Sequence, residues 1–72
     1  MSINIGNELQ SKSLRLIRLA SVISATGLPR STLYKMMKCE KFPKNVMIGE
    51  RSVAWVESEI EDWIKENIKR RS

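Results

Sequence analysis

Residues 19–38 read LASVISATGLPRSTLYKMMK, and this stretch decides the fold. Leu19, Val22, Ile23 and Thr26 recur at i, i+3, i+4 and i+7, the spacing that gathers side chains on one face of a helix. Gly27 suits the left-handed conformation that ends a helix. Pro29 cannot continue that helix, but its fixed φ suits the first turn of the next one. Leu28, just before proline, is pushed towards extended backbone and is expected to turn inward between the two helices. The second helix is expected from about Pro29 to Cys39, with Leu33, Met36 and Met37 as its apolar stripe. Arg30, Ser31, Thr32, Tyr34, Lys35 and Lys38 take up the rest of its surface. Two short helices around a glycine-containing turn, the second polar and basic outside, make a helix-turn-helix.

Phe42-Pro43 closes the second helix. Val46-Met47-Ile48 and Ser52-Val53-Ala54-Trp55 then flank Gly49-Glu50-Arg51, which reads as a β-hairpin with Lys44 and Arg51 at its flank and tip. A last helix follows. Ser58 and Glu61 have capping-box spacing, and Ile60, Trp63, Ile64 and Ile68 form an apolar stripe. Its acids, Glu57, Glu59, Glu61 and Asp62, come first, and Lys65, Lys69, Arg70 and Arg71 come last, the order that suits the helix dipole. On the other side of the deciding stretch, Arg15 to Leu19 are expected to lead into the first helix. Residues 1–14 show no period and are expected to be a tail, with Ile3, Ile5 and Leu9 as the side chains that would order it. The expected fold is therefore mainly α with a small β-hairpin: a winged helix-turn-helix of three helices plus a two-stranded wing, occupying residues 15–70.

Size and composition narrow the function. A chain of 72 residues is one small domain. One cysteine, Cys39, excludes an intrachain disulfide, and with no histidine a zinc site or an activated thiol has no ligands or base to draw on. No cofactor is expected. No apolar run approaches the roughly 20 residues that span a bilayer. Met1 to Gln10 lacks the basic and apolar regions of a signal peptide, so a cytoplasmic protein with no membrane partner is expected. The formal net charge of +5 is unevenly spread. Arg30 to Arg51 holds six cations against Glu40 and Glu50, whereas residues 52–72 are net acidic. The positive charge thus coincides with the helix-turn-helix and the wing, which points to a polyanion.

A helix fits the major groove of double-stranded DNA, where each base pair shows a distinct donor and acceptor pattern. The reading helix needs an apolar face to hold it to the core and polar or cationic side chains outside, the pattern of residues 30–39. Arg30 suits a bidentate guanine contact. Ser31 and Thr32 stand where amides and hydroxyls meet phosphate, or where they simply stabilise the helix start. Lys35 and Lys38 reach bases or phosphates, although Lys38, and more so Lys41, also suits a solvated helix end. Tyr34 suits a packing role and a contact role equally. Lys44 and Arg51 reach the flanking backbone or the minor groove. Phe42, Trp55 and Trp63 read as core, because each lies on an apolar stripe or beside proline.

Taken together, RLASVISATGLPRSTLYKMMK (residues 18–38), KFPKNVMIGERSVAW (41–55) and VESEIEDWI (56–64) resemble the AlpA family of prophage regulatory proteins. That family is similar in turn to phage excisionases with a MerR-like winged helix. The resemblance covers about Arg15 to Ile68. It implies a compact winged helix that binds promoter or attachment-site DNA of mobile elements, regulating a neighbouring integrase gene or assisting excision. It makes Arg30 to Lys38 the reading helix and Lys44 to Arg51 the wing. The chain departs from the family at Lys38-Cys39-Glu40-Lys41, where many members have a glycine before the Phe-Pro pair.

Three classes of function compete. The first is a DNA-binding transcriptional regulator acting as an oligomer or as a cooperative assembly on DNA. The second is a protein-binding module, such as an anti-repressor, whose basic face meets an acidic partner. The third is an enzyme, which would need a nucleophile–base pair, a phosphate loop or a metal cluster that the sequence does not display; a non-enzymatic protein is expected.

Overall fold

A computed structural model describes residues 14–71, so all of the expected tail over residues 1–14 except Leu14 lies outside the described residues. The order of elements is β1 (Leu16–Ile17), α1 (Leu19–Thr26), α2 (Arg30–Lys38), β2 (Val46–Met47), β3 (Val53–Val56) and α3 (Glu57–Arg70). Three helices and a small antiparallel sheet make a winged helix-turn-helix, as the periodicities predict.

The turn between α1 and α2 has the expected chemistry. Gly27 adopts φ 76°, and its N–H donates to the Ile23 carbonyl at 2.8 Å. The Thr26 hydroxyl donates to the Val22 carbonyl at 2.8 Å and accepts from the Leu28 N–H at 3.2 Å, tying the outgoing chain to the helix it leaves. Leu28 packs against the core. Pro29 stands one residue before α2, in extended backbone, and its carbonyl accepts the Leu33 N–H at 3.0 Å.

Two expectations are corrected. Leu16 and Ile17 do not simply lead into α1: they form β1, antiparallel to β3, with Leu16 opposite Val56 and Ile17 opposite Trp55. The wing hairpin is thereby part of a three-stranded sheet of order β1-β3-β2. A two-residue strand is too short to show a period, and its partner is distant in the chain. Ser58 also does not cap α3. The helix starts at Glu57, directly out of β3, with extended Val56 before it and no side-chain cap. The Glu57 N–H instead donates to the Arg15 carbonyl on β1 at 2.8 Å, and the Arg15 and Glu57 side chains pair at 3.6 Å. One of the orphan donors at the helix start is thus satisfied by the sheet, and Ser58 is buried within the first turn.

The core cluster holds five buried residues: Val22 from α1, Leu33 from α2, Phe42 from the α2–β2 connection, Trp55 from β3 and Ile60 from α3. Leu19, Ile23, Met36, Met37, Trp63 and Ile64 pack around them. Phe42, Trp55 and Trp63 are packing residues, as expected. The last member of the predicted α3 stripe, Ile68, lies past the core and is 52% exposed.

The α2–β2 connection is held from both sides. The Trp55 indole N–H donates to the Pro43 carbonyl at 3.2 Å, and the Trp63 indole N–H donates to the Lys41 carbonyl at 3.0 Å. Phe42 meets Trp63 edge to face at 4.9 Å. At the exit of α2, Glu40 takes φ 60°. Its N–H donates to the Met37 carbonyl at 3.1 Å, while the Lys41 N–H reaches the Met36 carbonyl at 2.8 Å. This pair of bonds is the Schellman pattern, built here without its usual glycine. The wing turn is closed by the Ile48 N–H donating to the Ser52 carbonyl at 2.8 Å. Val46 pairs with Ala54 and Met47 with Val53.

Candidate nucleic-acid interface

Leu33 anchors α2 to the core, and this orients everything else on the helix. With Leu33 buried and Met36 half-buried beneath, Arg30, Ser31, Lys35 and Lys38 are left exposed on the outer face. Ser31, Lys35 and Lys38 stack along one side of the helix, at i, i+4 and i+7. No acid occupies the first turn of α2, so its positive end meets no local counter-charge.

Beside this face runs a concavity of about 540 Å³ lined by Ser31, Tyr34, Lys35, Met37, Lys38 and Lys44. The fold therefore brings together five of the eight residues singled out in the sequence: Ser31, Tyr34, Lys35, Lys38 and Lys44. Lys44 arrives from the connection pinned by the two indoles. Three ammonium groups and no carboxylate are found among the lining residues. Glu40 approaches Lys44 from outside at 4.0 Å, but both side chains are mostly exposed. Such a pair contributes at most about 1 kcal/mol and competes weakly with a phosphate.

The other three singled-out residues lie apart. Arg30 sits one turn earlier, its guanidinium 5.7 Å from the centre of the Tyr34 ring. Thr32 is half-buried and does not line the concavity, and Arg51 is exposed at the wing tip. Tyr34 packs on the core and also reaches the surface. Its ring meets buried Trp55 edge to face at 6.2 Å and 71°, while it also lines the basic surface. Trp55, Tyr34 and Arg30 thus form a relay from core to surface that sets where the guanidinium stands. Sequence reasoning placed Trp55 in the core but missed this supporting role. The visible signal was the i, i+4 spacing of Arg30 and Tyr34.

A second, larger groove of about 1010 Å³ runs between the α2–β2 connection and α3. Glu40, Glu59, Asp62 and Glu66 line it together with Lys41, Lys44 and Arg70, over Phe42 and Trp63. Its mixed charge makes it a poorer seat for a polyanion than the smaller concavity. Cys39 is exposed at the end of α2. No helix among the described residues is long and apolar enough to cross a membrane.

Comparison with known proteins agrees with this architecture. Residues 15–68 match the family model described as prophage CP4-57 regulatory protein (AlpA). The chain is 36% identical over 63 residues to the DNA-binding transcriptional activator AlpA of Escherichia coli (strain K12), an alignment covering 79% of this chain and 90% of that protein. It is 37% identical over 57 residues to the uncharacterized protein ORF88 of Enterobacteria phage P4, covering 79% of this chain and 65% of that one. The matched residues run from β1 through most of α3 and so include α2, the concavity and the wing; the chain belongs to the AlpA family of prophage regulatory proteins.

Proposed function

We propose that this chain is a sequence-specific regulator of transcription that binds double-stranded DNA of a prophage or another mobile element, in the bacterial cytoplasm, through a non-enzymatic domain spanning residues 15–70. The observation that carries this reading is the concavity on the outer face of α2, where Lys35, Lys38 and Lys44 converge without a carboxylate. The name of the Escherichia coli relative, a DNA-binding transcriptional activator, supports it. In this reading α2 enters the major groove. Arg30 is the guanine reader, Ser31 and Thr32 meet phosphate at the helix start, and Tyr34, Lys35 and Lys38 contact bases or backbone. Lys44 and Arg51 hold the flanking backbone or minor groove. The target is DNA upstream of a neighbouring integrase gene, or an attachment region during excision.

A lone module of this size buries only roughly 600–1,000 Å² on DNA. The chain is therefore read as acting on repeated sites, as a dimer or a cooperative array. The deciding experiment is a gel shift with DNA upstream of its own gene and of the nearest integrase gene, with excess nonspecific competitor and a salt titration. A discrete, competitor-resistant complex is expected. A shift that disappears with competitor on both fragments would overturn sequence-specific regulation at these loci. Sedimentation of the same complex is expected to show more than one chain per site, and a strict one-to-one complex on long native DNA would rule out the assembly.

A further inference from the structure

One side chain lining the basic concavity has no part in the DNA contacts assigned above. Met37 is half-buried: it packs against the core and also lines the concavity with Ser31, Tyr34, Lys35, Lys38 and Lys44. It is the one aliphatic side chain among those six. Met36, the other methionine of α2, is likewise half-buried but lines the second, mixed-charge groove and not this one. Met37 follows Tyr34 by three residues and precedes Lys38, at the border between the inner and outer faces, so a flexible apolar side chain lines the same concavity as three cations.

The edges of bases in the major groove offer one apolar group, the 5-methyl of thymine, which side chains read by contact rather than by hydrogen bonding. An unbranched, polarisable thioether adapts well to such a methyl group. The lysines around it neutralise phosphate and carry little sequence information, so an apolar contact among them adds discrimination they do not supply.

We propose that Met37 is a specificity-determining residue that reads one thymine in each bound site through its 5-methyl group. The proposal rests on α2 occupying the major groove, as in the function proposed above. It goes further in naming a base and a chemical group. Lys35 and Lys38 on either side hold the backbone, while Met37 closes over the methyl and removes it from water.

The test begins with duplexes selected from a random pool by the wild-type chain, so that the preferred site is known. Each thymine in that site is then replaced in turn by deoxyuridine, which removes the methyl and leaves base pairing intact. One position should lose about fourfold in affinity, the worth of one buried methyl group. With Met37→Ala that same replacement should make no difference, while the other positions respond as before. Should Met37→Ala fail to fold by thermal melting, the wild-type chain still answers. With 5-iododeoxyuridine at the sensitive position, ultraviolet light should attach the DNA at Met37. A selected site insensitive to every methyl deletion overturns the proposal but leaves DNA binding standing. So does a sensitive thymine that attaches only to another residue. Failure to select any competitor-resistant site overturns the DNA-binding reading itself, and this proposal with it.

Discussion

Glu40 holds a left-handed conformation, φ 60°, that costs an ordinary residue roughly 1–2 kcal/mol. It is tolerated because the Schellman bonds at the end of α2 demand that turn and because Lys44 lies 4.0 Å from its carboxylate. Glycine meets the same demand without the Cβ penalty, though it surrenders more entropy on folding. Glu40→Gly is therefore expected to stabilise the chain by about 1 kcal/mol. A melting temperature unchanged or lowered would show that the turn carries no strain. The same substitution frees Lys44, so affinity for DNA should hold or rise. Among the cations, Lys35→Ala and Lys38→Ala should each weaken binding and lower the salt slope by about one ionic contact, with sequence preference nearly intact. Arg30→Ala should relax preference at one base position. Salt-dependent binding to matched and mismatched duplexes separates these effects. Unchanged affinity in all three variants would move the reading surface off α2.

At the scale of elements, the connection between α2 and β2 decides whether the basic surface exists. It carries Lys44, and it is anchored by indole bonds to the Lys41 and Pro43 carbonyls and by Phe42 against Trp63. Trp63→Phe removes the 3.0 Å bond to Lys41 while keeping an aromatic ring beside Phe42. The expected cost is about 1 kcal/mol of stability, the net worth of one such hydrogen bond, and a modest loss of DNA affinity as Lys44 loses its fixed position. Thermal melting and gel shifts on the same preparation read both; a full stability loss with unaltered affinity would show that Lys44 does not depend on this anchor. The α1–α2 turn was legible residue by residue, because Gly27 and Pro29 act through their own backbone limits. The start of α3 was not. Its first N–H is satisfied by Arg15 on β1, a partner that no local pattern such as Ser58-x-x-Glu61 discloses.

Across the whole molecule, five buried side chains, from the three helices, β3 and the α2–β2 connection, meet in a single core. With so few contributors, each matters. Leu33→Ala is expected to cost roughly 2–5 kcal/mol out of a total stability of order 5–15 kcal/mol. For a domain this small the unfolding midpoint should fall by roughly 10 °C or more. Calorimetry checks this, and a fall of only a degree or two would mean that α2 is not held through Leu33. Charge is segregated on the same scale. The charged residues lining the concavity beside α2 are all cations, and Glu59, Asp62 and Glu66 of α3 open onto the other groove. Such a distribution of charge steers an approaching polyanion towards α2.

Local rules in the sequence sufficed for much of this protein: the helix periods, the Gly27–Pro29 break, the hairpin around Gly49 and the clustering of cations between Arg30 and Arg51. Those features act over a few residues, through backbone freedom, side-chain spacing and charge, so they can be read without coordinates. The tertiary structure alone decided which distant groups meet. It paired β1 with β3 and brought Lys44 alongside Lys35 and Lys38. It set Trp55 behind Tyr34 and left part of Met37 facing outward. Each of these depends on contacts between segments far apart in the chain, whose geometry follows from packing a shared core rather than from any local propensity.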